Sequence, residues 1–334
     1  MNILDIQAVQ ELLSTPKKIA IIPHRGPDGD AMGSTLGLYH FLLKNHHNPT
    51  VISPNEFPDF LAWMPGADTV KVYEKDKAHC TILLQEAELI FTLDFNALHR
   101  TGEMEQVLTR LSAPFIMIDH HQNPDDYAAI TYSDTAFGST CEMLYNFICA
   151  VDKKEAIDST IGTCIYTGIL TDSGSFKFPK TTGTTHRIVA ELIDLGVQNT
   201  EIPNLLFDNS SYGRLQILGR ALQNMIIYPE FKTAYTTLTQ DELNSFNYVK
   251  GDTEGIVNYA LSIKGILFAA IFIENKDEKI IKISFRSQGD FDVNQFAREY
   301  FDGGGHRNAA GGKSELTMKE TQEKFQNLLT TIRI

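Results

Sequence analysis

The chain has 334 residues, of which 43% are hydrophobic and 21% charged, a globular composition with room for two domains. Its formal net charge of −13 argues against binding long nucleic acid, because such binding depends on many lysine and arginine contacts to phosphates. The four cysteines form no CxxC pair, which argues against a zinc ribbon and indicates a reducing compartment.

Targeting and membrane signals are absent from the pattern. No segment joins a basic region to an apolar core and a cleavage site, and no apolar run reaches the roughly 18 residues of a membrane span. We therefore expect a cytoplasmic protein without a membrane partner. An acidic chain can still bind a small phosphorylated ligand where metal ions or a few arginines reverse the local charge.

Short β-rich runs alternate with helical patterns in the first half of the chain, which predicts βα units around a largely parallel sheet. The predicted strands cover residues 18–23, 50–53, 89–93 and 115–118. Apolar residues at four-residue spacing predict a helix over 31–45. The same spacing predicts a second helix that ends near Asp172, from Ile157, Ile161, Ile165 and Ile169.

The pattern changes after residue 195. Leu215, Leu218 and Leu222 lie at helical spacing and predict a linker helix, and strand-like runs follow at 261–273 and 279–285. The fold class expected is α/β, with a parallel-sheet domain over 1–195, a linker-helix region over 196–230 and a smaller α/β domain over 231–334.

Acidic and imidazole side chains follow three of the predicted strands where each strand ends. Parallel strands present their carboxyl ends at one edge of a sheet, which is where ligands bind in open α/β sheets. Asp172, at the end of the isoleucine-rich helix, is a further candidate. We therefore expect one crevice to collect the whole set: His24, Asp28, Asp30, Asp94, Asp119, His120, His121 and Asp172.

Each cluster has a simpler interpretation by itself. The segment 26–30 could be a solvated turn, and an aspartate after a strand is commonly a helix N-cap. Such clusters on four separate segments are hard to explain by chance, which favours a metal site instead. Aspartate and histidine without cysteine suit Mn²⁺, Mg²⁺ or Co²⁺, and two divalent ions would balance four carboxylates. Those four carboxylates are Asp28, Asp30, Asp94 and Asp172.

Four motifs in chain order resemble the DHH phosphoesterase superfamily, which is named after the triplet present here at 119–121. They are HRGPDGDAMGS, LDFNALHRTG, IDHHQNPDDY and GILTDSGSFKF. The segments ISFRS and GGGHRNAAG look like the DHH-associated C-terminal domain of that superfamily. The arrangement is most similar to the stand-alone NrnA-like branch, whose members degrade nanoRNA and dephosphorylate adenosine 3′,5′-bisphosphate.

The resemblance implies a role for each site residue. Asp94 would bridge two ions, with His24 and Asp28 on one of them and Asp30, His120 and Asp172 on the other. Asp119 would orient its neighbours, because a ligating imidazole needs a partner that fixes its tautomer. His121 would face the substrate, where it would donate a hydrogen bond to a phosphate oxygen or assist the leaving group as an acid.

The glycine-rich segment 303–312 has five glycines in ten residues. Consecutive glycine amides can form a nest for an anion, so Gly303, Gly304, Gly305 and His306 are predicted to bind substrate; a flexible turn is the alternative. Arg286 could bind a phosphate bidentately, through two hydrogen bonds from its guanidinium, or it could be a surface arginine on an edge strand. Arg100 could contact phosphate, or form a surface salt bridge.

The function predicted is a manganese-dependent phosphoesterase. Its substrates would be very short RNA, linear dinucleotides and adenosine 3′,5′-bisphosphate. Three alternatives stay open: an inorganic pyrophosphatase or exopolyphosphatase, a cyclic-dinucleotide phosphodiesterase, and a non-catalytic nucleotide sensor. The sequence also leaves a homodimer open.

Overall fold

The computed structural model describes residues 3–208 and 211–332, and the chain divides into two compact units, Met1–Asn209 and Ser210–Ile334. The division falls inside the segment predicted as a linker. Within the described residues, no helix combines the length and the apolar character that a membrane crossing requires. The domain boundaries predicted from the sequence stay a prediction.

The first unit contains six strands and eight α-helices among its described residues. The strands are β1 (Lys18–Ile22), β2 (Asn48–Ser53), β3 (Lys71–Val72), β4 (Leu89–Leu93), β5 (Phe115–Asp119) and β6 (Ile130–Ser133). The helices are α1 (Ile3–Leu12), α2 (Gly29–Lys44), α3 (Lys77–Glu86), α4 (Glu105–Leu108), α5 (Thr140–Val151), α6 (Ser159–Asp172), α7 (Gly183–Asp194) and α8 (Glu201–Phe207).

All six strands are parallel and lie in the order β3-β2-β1-β4-β5-β6. The chain therefore winds outward from β1 in one direction and from β4 in the other. The carboxyl ends of β1 and β4 form the topological switch point, where connections leave on opposite sides and open a crevice.

Side chains of the central strands alternate between two cores, as expected for a sheet covered on both faces. In β1, Ile19 and Ile21 pack in the core that includes α2, α5 and α6, whereas Ala20 and Ile22 pack in the core with α3 and α4. Helices α2 and α6 approach so closely that a Cβ on Gly33 would lie 2.6 Å from the carbonyl oxygen of Cys164.

The second unit is built on a mixed sheet. Its strands are β7 (Ile226–Tyr228), β8 (Thr233–Leu238), β9 (Phe268–Asn275), β10 (Ile280–Ser287), β11 (Gly304–His306) and β12 (Ala309–Ser314), in the order β11-β12-β10-β9-β8-β7. Only β8 and β9 pair in parallel among these described strands. The helices are α9 (Tyr212–Gln223), α10 (Gln240–Ser245), α11 (Ile256–Leu261), α12 (Val293–Tyr300) and α13 (Met318–Leu329).

The predicted α/β fold class is confirmed by these two units. Helix α9 matches the predicted linker helix, and its buried residues Ile217 and Ala221 pack in a core of the second unit. The strand predicted over 261–273 is wrong at its start. Ile256, Val257 and Ala260 bury one face of α11, and Gly265 (φ +87°) makes the turn that precedes β9.

Aromatic packing dominates the core of the second unit. The ring of Phe325 on α13 is fully buried, and it contacts Tyr235 and Phe272, among other rings. We predict that Phe325→Ala lowers the free energy of unfolding by roughly 3–5 kcal/mol, because it leaves a cavity in this cluster. Urea unfolding followed by circular dichroism measures the change. Tyr212→Ala on the exposed face of α9 is the control, with an expected change within about 0.5 kcal/mol; equal effects would contradict the assignment.

Candidate metal centre

The loop after β1 supplies two of the predicted ligands. His24 is buried, and its Nδ1 lies 3.0 Å from the carbonyl oxygen of Arg25, so Nδ1–H donates and Nε2 faces inward. Asp28 is the N-cap of α2: its Oδ1 accepts the amides of Asp30 and Ala31, both at 3.1 Å. The N-cap interpretation is therefore correct for Asp28, and it is compatible with the site because the carboxylate has a second oxygen.

Asp94 lies at the centre of the cluster. It follows β4 and holds a left-handed backbone conformation (φ +66°), which is strained for a residue with a side chain and recurs at functional sites. Its Oδ2 lies 3.5 Å from Nε2 of His24, and its Oδ1 lies 3.4 Å from Nε2 of His120. Thr140 donates its hydroxyl to Oδ1 at 2.9 Å. Asp94 thus connects the segments that follow β1, β4 and β5.

The carboxylate of Asp30 is held by the N-terminus of α5. The amide of Thr140 donates to Oδ2 at 2.6 Å, and the amide of Cys141 donates to Oδ1 at 2.9 Å. Two free amides at the positive end of a helix dipole are a favourable place for a buried anion. Gly168 on α6 leaves the space for this carboxylate, since a Cβ there would lie 2.7 Å from Oδ1.

His120 and Asp172 complete a second group around Asp30. Nε2 of His120 lies 3.5 Å from Oδ2 of Asp172 and 3.9 Å from Oδ2 of Asp30. Asp172 is the last residue of α6, where the negative end of the helix dipole disfavours a carboxylate. A cation would offset that repulsion.

Asp119 and His121 form a pair beside the cluster. Nδ1 of His121 donates to Oδ1 of Asp119 at 2.7 Å and lies 3.8 Å from Oδ1 of Asp94. Asp119 is fully buried, and its Oδ2 has no hydrogen-bond partner among the described residues. A buried oxygen in this state indicates that the site lacks a polar or cationic partner.

The electrostatics of the cluster are those of crowded carboxylates. Burial raises the pKa of Asp30 well above its usual range, and Asp94 and Asp172 raise it further, against the lowering effect of His120. Burial also raises the pKa of Asp172, to about 6. Burial opposes ionisation of Asp94 as well, yet hydrogen bonds from His120 and His24 outweigh it and hold the pKa of Asp94 well below normal.

The pKa values of the two buried histidines of the cluster are raised as well, because the carboxylates attract a protonated imidazole. Burial lowers the pKa of His120, but the neighbouring carboxylates of Asp94, Asp172 and Asp30 outweigh it and raise that pKa to about 10. The pKa of His24 is also raised, because Asp94 and Asp28 outweigh its burial. Protons on these imidazoles balance the carboxylates in the ion-free protein, a role that divalent cations would take over.

Three groups of described side chains in the first unit have ligand atoms within 4.8 Å of one another. Two of them contain the predicted ligands, His24, Asp28 and Asp94 in one and Asp30, His120 and Asp172 in the other; the third is Asp94, Asp119 and His121. The donors are oxygen and imidazole nitrogen without thiolate, which fits Mn²⁺, Mg²⁺ or Co²⁺. The structure therefore brings together all six residues predicted as ligands, in the two groups predicted, and their chemistry fits two divalent ions.

Arg100 lies in the loop after β4. Its carbonyl oxygen accepts the amide of Arg25 at 2.8 Å, which connects this loop to the loop after β1. Its guanidinium lowers the pKa of His24, so its positive charge acts on the cluster. Arg100 is therefore close enough to the candidate ligands to influence their charge.

Arg286 and His306 lie in one row of the mixed sheet. Both are paired with Ala309 of β12, Arg286 from β10 and His306 from β11. Residues directly opposite in antiparallel strands project from the same face, so these two side chains share one face of the second unit. Arg286 and His306 therefore lie on the same face, on two strands that are separated by β12.

The nest predicted at Gly303–Gly305 needs correction. Gly304 and Gly305 belong to strand β11, the amide of Gly303 donates to the carbonyl of Ala297, and the amide of Gly305 donates to Oδ1 of Asn294 at 2.9 Å. At least two of the three amides are therefore already bound. Glycine is needed for another reason: a Cβ on Gly303 would lie 2.0 Å from the carbonyl oxygen of Gly311.

The sequence reasoning missed the segment that begins α5. Ser139 caps this helix, and Thr140 and Cys141 bind Asp30. Glu142 is buried and accepts the hydroxyl of Thr185 at 3.0 Å. The signal was an N-cap serine three residues before a glutamate, the pattern of a helix start, but nothing in the pattern linked it to the cluster.

Family models match both units. Residues 18–169 match the model described as "DHH family, N-terminal domain", and residues 232–333 match the DHHA1 domain. The chain belongs to the DHH family.

Similar proteins agree with this membership. The chain is 27% identical to a "Probable bifunctional oligoribonuclease and PAP phosphatase NrnA" of Streptococcus mutans, over 94% of this chain and 95% of that one. It is 28% identical to the NrnA of Bacillus subtilis, named as a bifunctional oligoribonuclease and PAP phosphatase, over 87% and 88%. A crystal structure of an exopolyphosphatase-related protein from Bacteroides fragilis is 39% identical, with a TM-score of 0.94 over 98% of this chain and 96% of that one.

We predict that Mn²⁺ binding releases protons near neutral pH. In the ion-free protein the pKa of His120 is about 10, so His120 is protonated at pH 7, whereas a metal ligand must be neutral. Binding should release about one proton from this residue, and affinity should rise between pH 6 and 8. Calorimetry in buffers of different ionisation enthalpy measures the release. Identical binding heats in all buffers would show that no proton leaves.

We predict that Thr140→Val weakens Mn²⁺ binding by about 10- to 100-fold, the usual effect of losing a hydrogen bond to a ligand. Valine keeps the shape and the amide to Asp30 but removes the hydroxyl that binds Asp94. Thr140→Ser keeps the hydroxyl and is the matched control. Titration of the metal-free protein with Mn²⁺ checks the difference, and equal affinities for the two variants would exclude this role.

Proposed function

We propose that the protein is a cytoplasmic, metal-dependent phosphoesterase. It cleaves very short oligoribonucleotides, including linear dinucleotides, to nucleoside monophosphates, and it dephosphorylates adenosine 3′,5′-bisphosphate. The observation that carries the proposal is the pair of Asp/His ligand groups at the switch point of the parallel sheet. The names of the two NrnA relatives support the substrate class.

The candidate ligands divide between two ions. His24 and Asp28 would hold one, Asp30, His120 and Asp172 would hold the other, and Asp94, which both His24 and His120 flank, would bridge them. Two bound divalent ions supply an activated water and stabilise charge on phosphate oxygens. We propose Mn²⁺ as the metal, with Co²⁺ and Mg²⁺ as alternatives of the same ligand preference.

His121 and Asp119 are proposed to act on the substrate. Asp119 accepts the proton on Nδ1 of His121 and so fixes the ring and its tautomer. Nε2 is then the nitrogen that could donate to a phosphate oxygen or protonate the leaving group. In this pair Asp119 positions and His121 contacts the substrate.

Arg286 and His306 are proposed to recognise a phosphate or nucleotide on the second unit, since they share one face of its sheet. Arg100 is proposed to contact phosphate beside the metal cluster. These are few cations, and the net charge of −13 provides no extended basic track for long RNA. The proposal therefore limits good substrates to about two to five nucleotides.

An exopolyphosphatase or pyrophosphatase is the second candidate. The similar Bacteroides fragilis structure is described as exopolyphosphatase-related, and the same ligand groups would serve cleavage of a phosphoanhydride. The oligoribonuclease proposal is preferred because both NrnA relatives are named for that activity, whereas the description "exopolyphosphatase-related" names only a relationship.

The test is a substrate panel assayed with Mn²⁺: RNA from dimer to long oligomer, adenosine 3′,5′-bisphosphate, pyrophosphate and polyphosphate. We expect the highest kcat/KM on RNA of two to five residues and clear phosphate release from the bisphosphate. Asp94→Ala should abolish turnover with the fold retained, whereas Asp126→Ala, which changes an exposed aspartate of the same unit, should not. Equal rates on all RNA lengths, or polyphosphate as the best substrate, would overturn the proposal.

A further inference from the structure

The segment that follows Asp172 has an unusual backbone. Gly174, Ser175 and Phe176 are three consecutive residues in the left-handed region, with φ of 57°, 59° and 66°. Residues with side chains rarely adopt this conformation, and where it persists the surrounding structure must hold it. This strained turn directly follows Asp172, a candidate metal ligand, so the side chains it carries lie next to the metal cluster.

The turn is anchored on Ser173. The hydroxyl of Ser173 accepts the amide of Phe176 at 2.9 Å, and its carbonyl oxygen accepts the amides of Lys177 and Phe178 at 2.9 and 3.0 Å. Phe176 turns inward, where its ring contacts those of Tyr166 and His186. The following residues are therefore held next to the end of α6 and directed outward.

The ring of Phe178 is exposed yet fixed in place. Its side chain is 46% exposed, and a Cβ on Gly174 would lie 2.6 Å from its Cζ, so the ring covers the glycine backbone without any intervening side chain. A single exposed phenylalanine needs no explanation by itself. This ring differs because a strained turn holds it against the backbone two residues from Asp172.

Positive charge flanks the ring. Lys177 and Lys180 are both exposed. Desolvation lowers the pKa of Lys180, whereas the nearby carboxylates of Asp172 and Asp134 act to raise it. The carbonyl oxygen of Lys180 would lie 3.4 Å from a Cβ on Gly138, two residues before Thr140, whose hydroxyl binds Asp94. The segment 177–180 thus packs against two of the loops that build the metal cluster.

We propose that Phe178 is a stacking platform for the nucleobase next to the phosphate that is cleaved, with Lys177 and Lys180 contacting the phosphate backbone. An exposed aromatic face beside cations is the combination that binds single-stranded nucleotides without regard to base. This inference rests on the proposed function and adds a base-binding element in the first unit.

The test compares two substrates that differ only in the base. One is adenosine 3′,5′-bisphosphate, and the other is the abasic analogue in which hydrogen replaces adenine. We expect Phe178→Ala to lower kcat/KM on the nucleotide by roughly 5- to 150-fold, mainly through KM, as expected for one lost base stack. On the abasic analogue the change should stay within about twofold, because no stack is lost.

Three variants serve as controls. Phe178→Trp keeps an aromatic face and should retain activity on the nucleotide, whereas Phe178→Leu is apolar without a ring face and should lose most of it. Phe207→Ala changes another phenylalanine of the same unit with a similar exposure, 47%, and should leave both substrates unaffected. Mn²⁺ affinity should be unchanged in all of them.

Wild-type hydrolysis separates this inference from the proposed function. If the wild-type protein with Mn²⁺ hydrolyses neither the bisphosphate nor dinucleotides, the proposed function fails and the platform fails with it. If the wild-type protein is active, the platform alone is overturned by any of three results: no change in Phe178→Ala, an equal loss on both substrates, or full activity in Phe178→Leu.

Discussion

The mutual repulsion of four crowded carboxylates, of which Asp30 and Asp94 are buried, is the constraint on which the first unit depends. Isolated buried charges are costly, so each of these must be paired. Asp30 is held by the first amides of α5, and Asp94 by Thr140 and two imidazoles. The remaining repulsion involves Asp172, which lies on the negative end of α6 with His120 at 3.5 Å, and the oxygen of Asp119 that has no hydrogen-bond partner among the described residues.

The sheet topology makes this arrangement possible. The switch between β1 and β4 opens a crevice at the carboxyl ends of these strands, where His24, Asp28 and Asp94 lie. Helices α2, α5 and α6 then close one side, and their close approach depends on glycines that leave room for the carbonyl of Cys164 and the carboxylate of Asp30. A larger residue at Gly33 or Gly168 would therefore disturb both the helix packing and the carboxylate cluster.

The two units contribute different chemistry. The first unit concentrates negative charge and imidazoles, which suits cations and reactions at phosphate. The second unit presents Arg286 and His306 on one face of its sheet, and we propose that this face recognises an anion. Since the ligand groups alone would serve esters and anhydrides alike, the choice of substrate depends on such contacts and on groups like Phe178 at the edge of the cluster.

The sequence by itself determined the largely parallel sheet and indicated that the six candidate ligands lie together at the ends of strands and of one helix. It could do so because strands and helices leave local patterns, and because parallel strands present their carboxyl ends at one edge whatever the details of packing.

The sequence failed where local patterns are ambiguous. The apolar run at 261–273 contains a helix end and a turn before its strand, and the glycine-rich run that starts at residue 303 resembles an open loop although residues 304–306 form a strand. Only the tertiary structure decided that Thr140 and Cys141 hold Asp30, that Asp94 is left-handed, and that Phe178 lies exposed over Gly174. These contacts join residues far apart in the chain or depend on backbone conformations that the residue types do not favour, so no local pattern encodes them.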